Sequence, residues 1–259
     1  MKLAAILNLT PDSFSDGGKY ISKESIIARV VSLIEEGADI IDIGAESTRP
    51  GAIPLSAKQE WERLSPYLSE IINICKKRNI ITSLDSYHPE NVKKAIELGI
   101  DWINDVTGLD NPDMVDVLKD NDVKIVIMHN LGVPADKSNV ISEDKDPIDV
   151  ILNWTQNKLK ELHKSNISSS RLILDPGIGF GKNAKQSLEI LDNAEKLLLA
   201  GLPVFIGHSR KSFLFSNAEN ISIAQRDAKT IDISLRLYAK NIDYLRVHDI
   251  AGHRKALNR

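Results

Sequence analysis

A short apolar run rich in β-branched residues keeps returning along this chain, and that recurrence limits the fold more than any other feature. KLAAILNLT, ADIIDIGAE, IITSLDS, DWINDVT, VKIVIMH, RLILDPG, LPVFIGHS and DYLRVHD are all of strand length. The segments between them carry helical spacing. Ile26, Val30, Leu33 and Ile34 fall on one face, as do Leu188, Leu191, Ala194 and Leu198, and Ala57 to Lys77 reads as one helix. EEGAD, ELGID and LAGLP place a glycine between a helix and the next strand, where a helix C-terminus favours one. About eight such units in 259 residues point to an α/β fold, a single (β/α)8 TIM barrel over residues 1–259. An open doubly wound sheet is the alternative, but no G-x-G-x-x-G follows the first run.

The ends of the runs carry the chemistry. Nearly all are apolar inside and polar at the C-terminal end: Asn8, Asp42 with Glu46, Asp85, Asn104 with Asp105, His129, Asp175, Ser209 with Arg210 and Lys211, and Arg246 with His248. A parallel barrel brings those ends to one face, where active sites sit. Helix caps would account for one or two of these residues but not for the set. A net charge of −3 gives no broad surface for nucleic acid or membrane. The single Cys75 excludes an internal disulfide and suits a reducing compartment. MKLAAILNLTPDSF lacks the form of an export signal and no stretch is long and apolar enough to span a bilayer, so a soluble cytoplasmic protein is expected.

LILDPGIGFGKN, Leu172 to Asn183, is glycine-rich yet is not a phosphate-binding P-loop. Pro176 stands where the first glycine is needed, and Asn183 replaces the magnesium-binding Ser or Thr. Its carboxylate, Asp175, suits the paired N–H donors of an amidine-like ring edge, as in guanine or pterin. Taken alone, Asp175 is as well explained as a cap for the helix that follows. Arg246 and His248 are two apart in an apolar strand and project to one side. Buried there they need a partner, either an anion or a neighbouring acid.

ILNLTPDSFSDGG, DIGAESTRPGA, SLDS, INDVTG, LILDPGIGFGK, GHSRKSF and LRVHDIAGHRKAL, in this order from Ile6 to Leu257, together resemble dihydropteroate synthase, the folate-pathway enzyme inhibited by sulfonamides. The resemblance implies a (β/α)8 barrel that joins p-aminobenzoate to 6-hydroxymethyl-7,8-dihydropterin diphosphate, releasing pyrophosphate. It implies that Asp85, Asn104, Met128, Asp175, Phe180 and Lys211 hold the pterin, with Asp85, Asp175 and Lys211 nearest the chemistry. It implies a diphosphate site of Asn8, Thr48, Arg49, Arg246 and His248, with Mg2+ held in part by Asn8. Phe14, Pro50 and Ser209 match the p-aminobenzoate contacts, and TPDSFSDGGKY and ESTRPGAIPLS match loops that close over the substrates. A homodimer pairing through late helices is implied as well.

The chain departs from the usual family pattern at Asn130 in MHN, at Phe215 in SRKSFLF and at Ser86 in SLDS; none of these removes a matched residue. Three rivals fit parts of the pattern. A pterin-binding methyltransferase barrel would share the Asp and Asn contacts without needing SRKSF or RVHD. A Schiff-base aldolase would use Lys211 as nucleophile, and a non-catalytic paralogue would bind pterin only. His88, His163 and His253 read as helix-start or solvent-facing residues, and no His/Cys cluster has zinc-site spacing. His129 fits a pocket wall or a structural hydrogen bond equally well, and His208 fits a role in shaping the loop.

Overall fold

The structure, a computed structural model, describes residues 1–10, 22–47, 51–136, 138–215 and 221–258. Phe14, Thr48, Arg49 and Pro50 lie outside the described residues.

Strands and helices alternate as the sequence pattern predicts. The order is β1 (Lys2–Asn8), α1 (Lys23–Glu35), β2 (Ile40–Gly44), α2 (Ala57–Leu64), α3 (Leu68–Lys77), β3 (Ile81–Asp85), α4 (Pro89–Glu97), β4 (Trp102–Asp105) and α5 (Pro112–Leu118). It continues with β5 (Lys124–Met128), α6 (Pro147–Lys164), β6 (Leu172–Asp175), α7 (Ala184–Asp192), β7 (Phe205–Ile206), α8 (Ile223–Ala239), β8 (Tyr244–Val247) and α9 (Ile250–Ala256). The strands form one 8-stranded parallel sheet in the order β6-β5-β4-β3-β2-β1-β8-β7. A parallel bridge between Leu174 and Val204 brings the two ends together, so the sheet is a nearly closed barrel. Pro203 cannot donate to a ladder, and β7 is accordingly only 2 residues long.

The expected single helix from Ala57 to Lys77 is two helices. Pro66 lacks the N–H that would continue α2, so the chain breaks at Ser65 and resumes at Leu68. Side chains start several helices: Ser56, Asn183 and Ser222 each form a reciprocal cap with a glutamine three residues on. Cys75 is buried on α3, and desolvation pushes its thiol up to about 12, which leaves it inert at neutral pH.

Period two along each strand then decides what faces inward. Ala4, Ile40, Trp102, Val126, Ile173 and Phe205 form a buried plug in the barrel, with Ile81 and Tyr244 against it. Trp102 meets Tyr244 edge to face at 5.1 Å. Stepping by two from the plug reaches Asn8, Asp42, Asp85, Asn104, Met128, Asp175 and Arg246. The larger apolar cluster, which includes Leu33, Ile71, Leu118, Ile151 and Leu237, packs the helices onto the outside of the sheet. Among the described residues no helix is long and apolar enough to cross a membrane.

Candidate active site

Adjacent strands in register set Asn8, Gly44, Asp85 and Asn104 side by side at the top of the barrel. Gly44 leaves room between two functional groups. A methyl there would stand 3.5 Å from Asp85 Oδ2 and 3.7 Å from Asn8 Oδ1. Beneath them, Asp42 is completely buried. Its Oδ2 accepts from Arg246 Nε at 2.5 Å and from Asn104 Nδ2 at 3.3 Å, while Arg246 also donates through a terminal nitrogen to Asp85 Oδ2 at 2.7 Å. One guanidinium thus bridges two carboxylates. Burial alone would make Arg246 easier to deprotonate, but Asp42 and Asp85 reverse this and fix its charge. Burial raises the Asp85 carboxyl, Arg246 opposes that shift, and the like charge of Asp42 adds to it.

Two acceptors in this cluster are unspent. Asp42 Oδ1 and Asn104 Oδ1 are buried with no hydrogen-bond partner among the described residues. Buried acceptors are normally paired, so the pair marks a place for N–H donors.

On the other side of the barrel mouth, Asp175 ends β6 opposite Met128 in register. Its Oδ1 accepts the Gly177 N–H at 2.7 Å. Burial raises this carboxyl, opposed by that hydrogen bond and by Lys211, Lys182 and Arg246. The loop after β6 is laid tightly across the end of β5. Gly177 has φ +67°, and a Cβ there would fall 1.9 Å from the His129 carbonyl oxygen. Gly177→Ala should therefore destabilise the fold by roughly 3 kcal/mol or more through backbone strain and overpacking, lowering the thermal midpoint by about 10 °C in calorimetry.

Lys182 of the same loop is a strut. Buried, it donates to His129 Nδ1 at 2.7 Å and to the carbonyl oxygens of His129 and Phe180, both at 2.8 Å. Burial lowers its pKa well below that of an ordinary lysine. His129 is held down to about 3 by burial and by Lys182, and its ring meets Trp154 edge to face, so its role is the structural one. Lys211 donates to the Ile178 carbonyl oxygen and lies 4.8 Å over the Phe180 ring, which places Lys211, Phe180 and the Asp175 loop together. Ser209 Oγ stands 2.8 Å from His248 Nδ1. The segment after Lys211 makes only a 3-residue 3-10 turn, Ser212–Leu214, so Ser209 precedes a turn and not the start of a regular helix.

The structure thus gathers Asp85, Asn104 and Arg246 around Asp42, sets Asn8 across Gly44 from Asp85, and gathers Asp175, Phe180 and Lys211 around the glycine loop. It decides one partner that the sequence reading left open and differs from that reading in two respects. Arg246 is engaged with acids, which was one of the two partners open to it. Asp42, a strand-end acid without an assigned role, is the hub. His253 is not solvent-facing: it is 1% exposed, with Nε2 2.9 Å from Ser234 Oγ, and Ser234 also contacts His208. Among the described residues, Asp42, Asp85 and Asp175 meet Arg246 and Lys211 at this mouth, with Lys182 also acting on Asp175. Such a site can hold a flat polar ring by its N–H edges and stabilise positive charge that develops on it.

Comparison with known proteins gives the family. The sequence profile described as "Pterin binding enzyme" matches residues 4–248. A "Folate synthesis bifunctional protein" of Chlamydia muridarum is 37% identical over 99% of this chain, which spans 58% of that protein. Against "Dihydropteroate synthase type-3" of Escherichia coli the identity is 33%, covering 99% of this chain and 97% of that one. Among solved structures, dihydropteroate synthase from Anaplasma phagocytophilum with bound 6-hydroxymethylpterin-monophosphate superposes with a TM-score of 0.89 at 38% identity, covering 99% of this chain and 97% of the other.

Proposed function

Because this chain belongs to the dihydropteroate synthase family of pterin-binding enzymes, we propose that it condenses 6-hydroxymethyl-7,8-dihydropterin diphosphate with p-aminobenzoate to give 7,8-dihydropteroate and pyrophosphate. The observation that carries this is the bridge Asp42–Arg246–Asp85, with two unpaired buried acceptors, Asp42 Oδ1 and Asn104 Oδ1, beside it. A pterin edge supplies N–H donors for such acceptors, and each buried group left unpaired costs about 1–3 kcal/mol.

In this reading Asp175 receives the amino-pyrimidine edge, Asn104 and Asp85 hold the far side of the ring, and Met128 and Phe180 form its walls. Lys211 lies over Phe180, near the reacting methylene. As the methylene–oxygen bond breaks, its electron pair leaves with pyrophosphate and positive charge spreads into the dihydropterin. The fixed carboxylates nearest the ring stabilise that charge more than they stabilise the neutral ground state. The arylamine nitrogen forms the new bond to the methylene and then loses a proton. It is weakly basic, so no strong base is assigned. Arg246, His248 and Asn8, with Thr48 and Arg49, receive the diphosphate. Phe14, Pro50 and Ser209 receive p-aminobenzoate.

Mg2+ belongs to the same proposal. The Asn8 amide oxygen, at the barrel mouth across Gly44 from Asp85, is a hard-oxygen donor that fits this ion, with most of its ligands left to phosphate oxygens and water. When bound, it would neutralise charge on the departing pyrophosphate. We also propose a cytoplasmic homodimer formed by one barrel domain over residues 1–259. Exposed Leu188 on α7 and Leu235 and Tyr238 on α8 supply apolar surface on late helices. Sedimentation should then give twice the chain mass.

The test is pyrophosphate release with both substrates and Mg2+. Release should require p-aminobenzoate, stop with EDTA, and be competed by a sulfonamide. Pterin binding without turnover would instead identify a binding-only paralogue.

A further inference from the structure

We propose that Glu46, Glu60 and His88 form a separate metal site for a first-row divalent cation such as Zn2+, where the end of β2 meets α2 and α4. One ligand atom from each side chain falls within 4.8 Å of the others. The three come from different parts of the fold: Glu46 just past β2, Glu60 inside α2, and His88 at the N-cap of α4.

The neighbours of Glu60 leave one of its oxygens without a partner, and one oxygen of Glu46 meets His88. Glu46 Oε1 is held by the Tyr87 hydroxyl at 2.5 Å and the Leu55 N–H at 3.1 Å. Its Oε2 faces His88 Nε2 at 3.4 Å. Glu60 Oε2 accepts from Ser86 Oγ and Asn91 Nδ2, both at 2.7 Å. Glu60 Oε1 is buried with no hydrogen-bond partner among the described residues, on a side chain with no solvent exposure. Hydrogen bonds that fix one oxygen of a ligating carboxylate and leave the other for the ion are the usual outer support of a metal site.

An ion pair alone does not account for this arrangement. His88 lies at a long distance from Glu46 and carries at most one charge for two carboxylates, and Glu60 has no salt bridge among the described residues. Imidazole with two carboxylates suits Zn2+, Mn2+ or Co2+ better than Mg2+, which prefers oxygen alone. His88 and Glu46 are 15% and 4% exposed at the side chain, so an ion can enter and keep a water ligand. The site is distinct from the diphosphate end at Asn8, and it does not depend on the synthase reading.

The experiment uses EDTA-treated full-length protein without substrates, titrated with Zn2+ by calorimetry and with Co2+ by absorption. Wild type should bind about one Zn2+ with micromolar affinity or better, raise its melting temperature with Zn2+, and give Co2+ ligand-field bands of a low-coordinate site. His88→Lys keeps a cation beside Glu46 but no ligand. It should melt near wild type without metal and lose Zn2+ affinity at least 100-fold. Glu60→Gln should lose both the bands and the Zn2+-induced shift. Absence of wild-type binding at 50-fold excess Zn2+, or equal binding by His88→Lys, overturns the proposal.

Discussion

Asp175→Asn is expected to lower kcat/KM for pterin diphosphate by about 10³-fold, roughly 4 kcal/mol of transition-state stabilisation, while leaving the fold intact. The asparagine oxygen can still accept the Gly177 N–H that Asp175 Oδ1 accepts at 2.7 Å, so the loop turn survives. The loss falls on the other half of the side chain. A carboxylate meets an N–C–N edge with two charge-assisted acceptors, whereas an amide offers one acceptor and points its own N–H donors at the ring's donors. Sites built to pair a polar edge discriminate strongly when that pairing is spoiled. Steady-state pyrophosphate release, with calorimetric melting as the control for folding, checks this. Were Asp175 only a cap for the following segment, turnover would change less than tenfold.

Asp42→Asn is expected to cost about 100-fold in kcat/KM, near 3 kcal/mol, although Asp42 is fully buried beneath the Asp85–Arg246 contact. The substitution keeps the shape and removes the charge that accepts from Arg246 Nε and Asn104 Nδ2. Arg246 is then aligned by Asp85 alone. A pH profile separates this positioning role from simple damage. The negative charge of Asp42 helps raise the Asp85 carboxyl. Without it, the folded pKa of Asp85 moves down towards the ordinary value. A carboxylate that must be ionised loses activity as pH falls through its folded pKa, so the acidic limb of the profile should shift to lower pH in Asp42→Asn. An unchanged limb together with a lowered melting temperature would assign Asp42 a structural role only.

The barrel was legible because each strand is short, β-branched and polar at one end, and because alternate residues share a face. The same parity that buries Ile40 and Ile173 in the plug presents Asp42 and Asp175 above it. Three-dimensional pairing was not legible. Arg246 carries the same sequence signal whether its partner is an anion or an acid, and only the 204-residue separation from Asp42, closed by β8 pairing with β1, reveals the second. Asp42 stayed unassigned because a residue acting through its neighbours matches no ligand contact. His88 looked like an ordinary helix-start histidine; its partner, Glu46, is 42 positions away. Lys182 sits in a glycine loop that suggests anion binding, and the three acceptors that engage it come from backbone and ring atoms no local pattern exposes. The break at Pro66 was readable from proline chemistry and was outweighed by the helical spacing on either side.

On this account one guanidinium, held between the buried Asp42 and the half-buried Asp85, joins the pterin slot to the diphosphate end. A crystal structure with 6-hydroxymethyl-7,8-dihydropterin diphosphate tests it most directly. The ring edge should lie on Asp175, a ring N–H should meet Asn104 Oδ1, and Arg246 should remain on Asp42. A heterocycle bound elsewhere, with Asp42 Oδ1 and Asn104 Oδ1 still unpaired, would contradict the account.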